Sequence, residues 1–177
     1  MIARWLFKLT ARRPCRLIKI GPRQDRPYLE RYYLGRLLGW TFYLHRFLGP
    51  DDARGPHDHP WRRAFSVVLC GGYVEFRVLH LDPDNGFCVQ AGRLMAGSVN
   101  LIGERTFHRI AHVEPGTWTL FAHRRTVKGW GFAEPIQGDG GSLQGILYHQ
   151  PLAGVSVLDT PWWLTAPRGE HAGREAL

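Results

Sequence analysis

The sequence predicts an all-β domain with one short helix at its start. From Tyr28 onward the chain reads as short runs rich in β-branched and aromatic residues, the composition that suits a pleated, half-buried surface. Turn clusters divide those runs at Gly71-Gly72, at Asp82-Pro83-Asp84-Asn85-Gly86, at Glu114-Pro115-Gly116 and at 138–141, where Gly, Pro and Asn supply the conformations that a reversal needs. Helical periodicity is confined to the first dozen residues. Many short strands with regular turns mean a single antiparallel barrel or sandwich.

Taken in order, residues 1–26 form a basic arm. Ile2, Trp5, Leu6 and Leu9 recur at helical spacing, while Arg4, Lys8 and Arg12 follow at i, i+4 on another face, so the arm opens with a short basic amphipathic helix. The favoured reading packs its apolar face against the barrel and leaves its charges solvated. The alternatives lay it on an anionic membrane or on nucleic-acid phosphates. Strands are expected over 28–34, 40–47, 64–70, 73–80, 87–91, 98–102, 108–113, 118–122, 129–132 and 145–148, which places the barrel within 27–160. After Pro161-Trp162-Trp163 the pattern fades into polar residues, so 161–177 reads as a loose tail.

Bulk properties limit the function classes. At 177 residues, 44% of them apolar and 12% aromatic, the chain supports one sizeable core and one domain. The net charge of +8 looks like a nucleic-acid signal until it is located. Residues 1–26 carry eight Lys or Arg against Asp25 alone, and so hold +7 of it, which weakens the case for the barrel surface as a polyanion binder. Cys15, Cys70 and Cys88 are odd in number and form no CxxC pair, which argues against a disulfide framework and for a reducing, cytoplasmic home. No apolar run reaches bilayer-spanning length.

The chemistry concentrates in Gly55-Pro56-His57-Asp58-His59-Pro60-Trp61. Residues two apart in extended chain share a face, so His57 and His59 point one way and Asp58 the other. Paired imidazoles at that spacing suit Fe, Mn, Ni, Cu or Zn, with a third ligand drawn from elsewhere. Two histidines in a loop also occur as plain surface polar groups.

Two longer spacings bear on that choice. His57-x-His59-x4-Ala64-x6-Gly71 resembles the first motif of the cupin superfamily, and the stretch from Gly97 to His108 resembles the second, ending on its histidine. The likeness covers roughly 40–135. It implies a jelly-roll barrel with His57, His59 and His108 around one divalent metal. The pattern departs from the common one where Ala64 stands in place of the usual ligand glutamate, where Gly103 and Arg105 replace the usual Pro and Gly, and where His112 replaces the usual Asn. Two residues beyond Ile110, His112 keeps the face of His108 in regular strand, and is read as a hydrogen-bonding group rather than a further ligand. A three-His site without carboxylate resembles the thiol-dioxygenase branch, which implies mononuclear non-haem Fe(II) with open positions for O2 and a substrate donor; Zn, Ni or Mn fit the same donors. The His-x-Asp pattern of 2-oxoglutarate oxygenases fails at His59. Tyr43-Leu44-His45-Arg46-Phe47, His57-Asp58-His59-Pro60-Trp61 and Trp130-Gly131-Phe132 resemble a group of small, functionally unassigned bacterial and phage cupins.

Around this site, Arg46 and Glu75 are the candidate catalytic groups. Arg46, embedded in a strand, needs a partner or a ligand carboxylate; Glu75 either replaces the missing carboxylate or sits on a half-exposed strand surface. Arg109 should point away from His108, and His45 away from Arg46. The reading is a three-His iron oxygenase acting on a small molecule. Its rivals are a non-catalytic metal or ligand-binding module and a redox-neutral sugar isomerase or epimerase. Pairing of two copies through an edge strand is what the resemblance implies for assembly.

Overall fold

The computed structural model describes the chain apart from residues 22, 24, 52–54, 83–85, 138–142 and 150–160, and within strands it describes all side chains but those of 80–82, 86–87, 134–137 and 143–149. The expected turn at 138–141 and the boundary at 160 lie outside the described residues. Helix α1 (Ile2–Leu9) is followed by β1 (Cys15–Ile20), β2 (Arg26–Leu37), β3 (Trp40–Phe47), β4 (Arg63–Cys70), β5 (Gly72–Asp82), β6 (Gly86–Met95), β7 (Val99–Gly103), β8 (His108–Val113), β9 (Trp118–His123), β10 (Phe132–Gln137) and β11 (Leu143–His149). All pairings are antiparallel. One sheet runs β1-β2-β3-β9-β4-β7, a second runs β6-β5-β8, and β10-β11 is a hairpin. The fold is all-β, a single jelly-roll domain with a short N-terminal helix.

Alternation along the central strands builds two cores from one sheet. Leu44 and Trp118 face outward and join Leu6, Cys15 and Tyr32. Tyr43 and Phe121 face inward with Ala64 and Ile102, while Phe47 packs inward with Leu29, Val68, Tyr73 and Ile110. The inner layer is what closes over the histidines.

The arm and the tail differ from their expected forms. Helix α1 presents Leu6 to the sheet, with Ala3 and Phe7 packed beside it, and leaves Ile2, Trp5 and Leu9 exposed. Ala3, Leu6, Phe7 and Thr10 form a second stripe at i, i+3, i+4, i+7, and Thr10 is fully buried. Past the helix, Cys15–Ile20 is a sheet strand paired with β2. Residues 161–177 are tied down rather than loose: Cys15 N–H donates to the Pro167 carbonyl at 2.8 Å, and Gly169 N–H to that of Arg13 at 2.9 Å. A Cβ on Gly169 would lie 2.5 Å from the Thr10 carbonyl oxygen, so only glycine admits this approach. No helix among the described residues is long and apolar enough to cross a membrane.

Candidate metal centre

Backbone hydrogen bonds set the positions of the histidines before their side chains do. His57 N–H donates to the His108 carbonyl and His108 N–H to the His57 carbonyl, both at 2.9 Å, so a narrow antiparallel bridge places the HxH segment beside the start of β8. On its other side the segment bridges Phe132, with Asp58 N–H donating to the Gly131 carbonyl at 3.0 Å. Asp58 points away from the histidines, as two-residue alternation requires. It is 1% exposed, pairs with Lys128 and accepts the Gly131 N–H at 2.9 Å. That carboxylate fastens residues 128–131, which carry Trp130 toward His57.

The three imidazoles converge. The ring centroids of His57, His59 and His108 are each 5.0 Å from the other two, His59 Nε2 lies 2.8 Å from His108 Nε2, and one nitrogen from each ring lies within 4.8 Å of the others. Burial pushes the His57 imidazolium down to about 4, with Asp51 opposing and His108 adding to the shift. Burial, then His108 and His57, hold His59 well below the ordinary histidine range. Neutral imidazoles with lone pairs turned on a common point are metal ligands in waiting. A first-row divalent ion fits this donor set, for it would replace a crowd of imidazole lone pairs by bonds.

Glu75 stands behind the triad and not in it. Its carboxylate contacts His108 Nδ1, accepts the Asn100 amide at 2.8 Å and lies 3.1 Å from an Arg77 nitrogen. Burial would raise this carboxyl, but the His108 and Asn100 hydrogen bonds and the Arg77 charge outweigh it and hold the group below its usual range. An ionised Glu75 accepts the hydrogen bond from Nδ1–H of His108 and holds the proton there, which leaves Nε2 free to ligate. Asp51 has a looser version of that role for His57: its Oδ2 lies 3.7 Å from Nδ1 and accepts the Ile110 N–H at 2.7 Å.

Aromatic rings surround the nitrogens. Trp61 stacks on His59 at 5.0 Å and on His123 at 4.4 Å; Trp130 and Phe132 flank His57. Such a collar lowers the local dielectric and limits water.

Arg46 is not brought to this centre. It faces outward on β3, beneath α1, where it pairs with Glu30 at 3.2 Å and donates to the carbonyls of Glu175 and Ala176 at 2.6 and 2.7 Å. Its strand neighbour His45 is the inward residue. His112 also departs from expectation: the register between β5 and β8 shifts at Val74/Glu75, the extra residue reverses the alternation after Ile110, and His112 is exposed. Arg109 points away from His108 and lies over Phe76. Arg31, Asp51, Asn100, Thr119 and His123 are inner polar groups that sequence reading missed. Asp51 alone left a signal, as an acid a few residues before the HxH pair.

No family model matches the chain, and no curated protein matches it. Among solved structures it is similar to that of Fe(II) HppE, with 17% identity over 64% of this chain and 56% of that one, at a TM-score of 0.45. A recombinant oxalate oxidase in complex with glycolate gives 18%, 64%, 59% and 0.44. A protein put forward as a mannose-6-phosphate isomerase, from Ralstonia eutropha JMP134, gives 15%, 58%, 89% and 0.43. The chain spans just over half the length of the first two.

Proposed function

We propose that the chain is a cupin metalloenzyme, an oxygenase of a small organic molecule, with iron(II) held by His57, His59 and His108. The convergence of three imidazoles with no carboxylate among them carries this reading. Bound iron supplies redox chemistry toward O2 and free positions for a substrate donor. The chain's own residues prepare the place: Glu75 sets the His108 proton on Nδ1, Asp51 sits against Nδ1 of His57, and Trp61 and Trp130 keep bulk water from two of the rings. All three cysteines are free, which supports a reducing, cytoplasmic home.

Metal content tests the reading. Plasma mass spectrometry on protein purified without tag or chelator should find about one equivalent of iron, and a His57→Ala/His108→Ala variant should retain less than a tenth of it. One equivalent of zinc or nickel instead would redirect the chemistry to Lewis-acid isomerisation. Equal metal in both proteins would sink the site.

A further inference from the structure

We propose that the barrel interior beside the histidine triad contains an anion subsite, where Arg31 and His45 receive the carboxylate or phosphoryl oxygens of the small-molecule ligand. The inference rests on the triad being the reacting centre. Sheet register brings the two together and sets Thr119 beside them: Arg31 is the cross-strand partner of His45, and His45 that of Thr119. They form one polar row across β2, β3 and β9. The next row on the same face is Tyr33, Tyr43 and Phe121, and the row behind it holds Leu29 and Phe47.

Arg31 and His45 each offer a donor that no described residue accepts. Arg31 Nε donates to His45 Nε2 at 3.0 Å, and the guanidinium lies 5.5 Å from the Tyr43 ring centre. Among the described residues, none of its other N–H groups meets an acceptor and no carboxylate is paired with it. Arg31 is half-buried, and its nitrogens are not among the sealed, unpartnered atoms, so they face space that a solute can enter. Because His45 accepts at Nε2, its proton sits on Nδ1 and points elsewhere as a donor; burial, reinforced by Arg31, keeps the ring neutral. The Thr119 hydroxyl is itself sealed, with no partner among the described residues, and so lies outside the subsite. A cation beside a neutral donor, with no carboxylate paired to it among the described residues, selects an oxyanion.

The row lies within reach of the triad. Phe121 stacks on His45 at 4.8 Å and lies 5.2 Å from Trp61, which stacks on His59. A ligand anchored by its oxyanion at Arg31 would extend along Phe121 toward the metal.

The test uses iron(II)-loaded protein under anaerobic conditions, titrated separately with propionate and with inorganic phosphate at an ionic strength fixed by chloride. At a hundred times its dissociation constant, the preferred anion should raise Tm by about 5–10 °C. Arg31→Met should abolish the shift, and His45→Phe should weaken binding about tenfold, with iron content unchanged in both. Propionate alone acting identifies a carboxylate; phosphate alone acting identifies a phosphoryl group. Neither anion moving Tm, or a shift that survives in Arg31→Met, overturns the proposal. Should that variant fail to fold, the Nε–Hε resonance of Arg31 in arginine-labelled protein replaces it, and must move with the anion for the subsite to stand. An anion response in protein that retains no iron would support the subsite and sink the reacting centre, so the two failures are distinguishable.

Discussion

Arg46 and Arg31 stand on adjacent strands of one sheet and face opposite ways, and their surroundings differ completely. Arg46 is 6% exposed against a Glu30 that is fully buried. That carboxylate also accepts the Tyr32 hydroxyl at 2.5 Å and the Glu175 N–H at 2.9 Å, while Nη1 and Nη2 of Arg46 also donate to the carbonyls of Glu175 and Ala176. The charges of this outer pair are answered by the protein. On the inner face, Arg31 meets a neutral ring and otherwise waits. A charge that the protein satisfies closes the structure; one that it leaves open is available to a ligand.

Truncating each side of this comparison should give opposite stability effects, and it is the sharpest way to break it. Glu30→Ala strands the Arg46 charge in the interior and should cost about 3–5 kcal/mol by urea denaturation. Arg31→Met removes an unpaired charge and should be neutral or stabilising in the metal-free protein. Comparable losses in the two variants would mean that the inner arginine is structural too.

Acid distinguishes the faces next. The folded protein holds His57 near 4, whereas the unfolded chain titrates it near 6.5. Between those values the unfolded state binds the extra proton, so stability is full above about pH 6.5 and declines as pH falls toward 4. The slope is about 1.4 kcal/mol per unit, or about 3 kcal/mol across the window. Urea melts of metal-free protein at successive pH values should show this decline, and it should shrink in His57→Gln. An unchanged slope in that variant would assign the acid sensitivity to other groups.

The parts of this architecture that one strand period can encode are legible in the sequence. Strands β3 and β8 begin and end where the apolar runs do, and the opposition of Asp58 to His57 and His59 follows from alternation alone. Failures come where alternation has no polar side to read. Both faces of β3 are buried, so nothing local says whether Arg46 or His45 looks inward. The helix carries two apolar stripes, and only the covering sheet decides that Leu6 rather than Trp5 is buried. Strand β1 hides in a basic arm because Arg16 and Lys19 mask Leu17, Ile18 and Ile20. The bulge that turns His112 outward is a property of the β5–β8 pair, not of either strand. Residues 129–131, apolar enough to suggest a strand, are held as a loop by Asp58.

The smallest expected effect concerns the carboxylate behind the triad, and it asks whether the inner face is built to hold its histidines as firmly as the outer face holds Arg46. Glu75→Gln preserves shape and one acceptor but loses the charge that fixes the His108 proton on Nδ1. Outer partners of this kind typically change metal affinity by 10–100-fold. Competition against a chelator should therefore show iron bound about that much more weakly in Glu75→Gln, with stoichiometry near one at saturating metal. Complete loss of the site would make Glu75 a ligand in its own right. No change at all would mean that the backbone bridge between His57 and His108 orients the ring without help, and the hydrogen-bonded cluster with Asn100 and Arg77 would then serve the packing of β5 against β7.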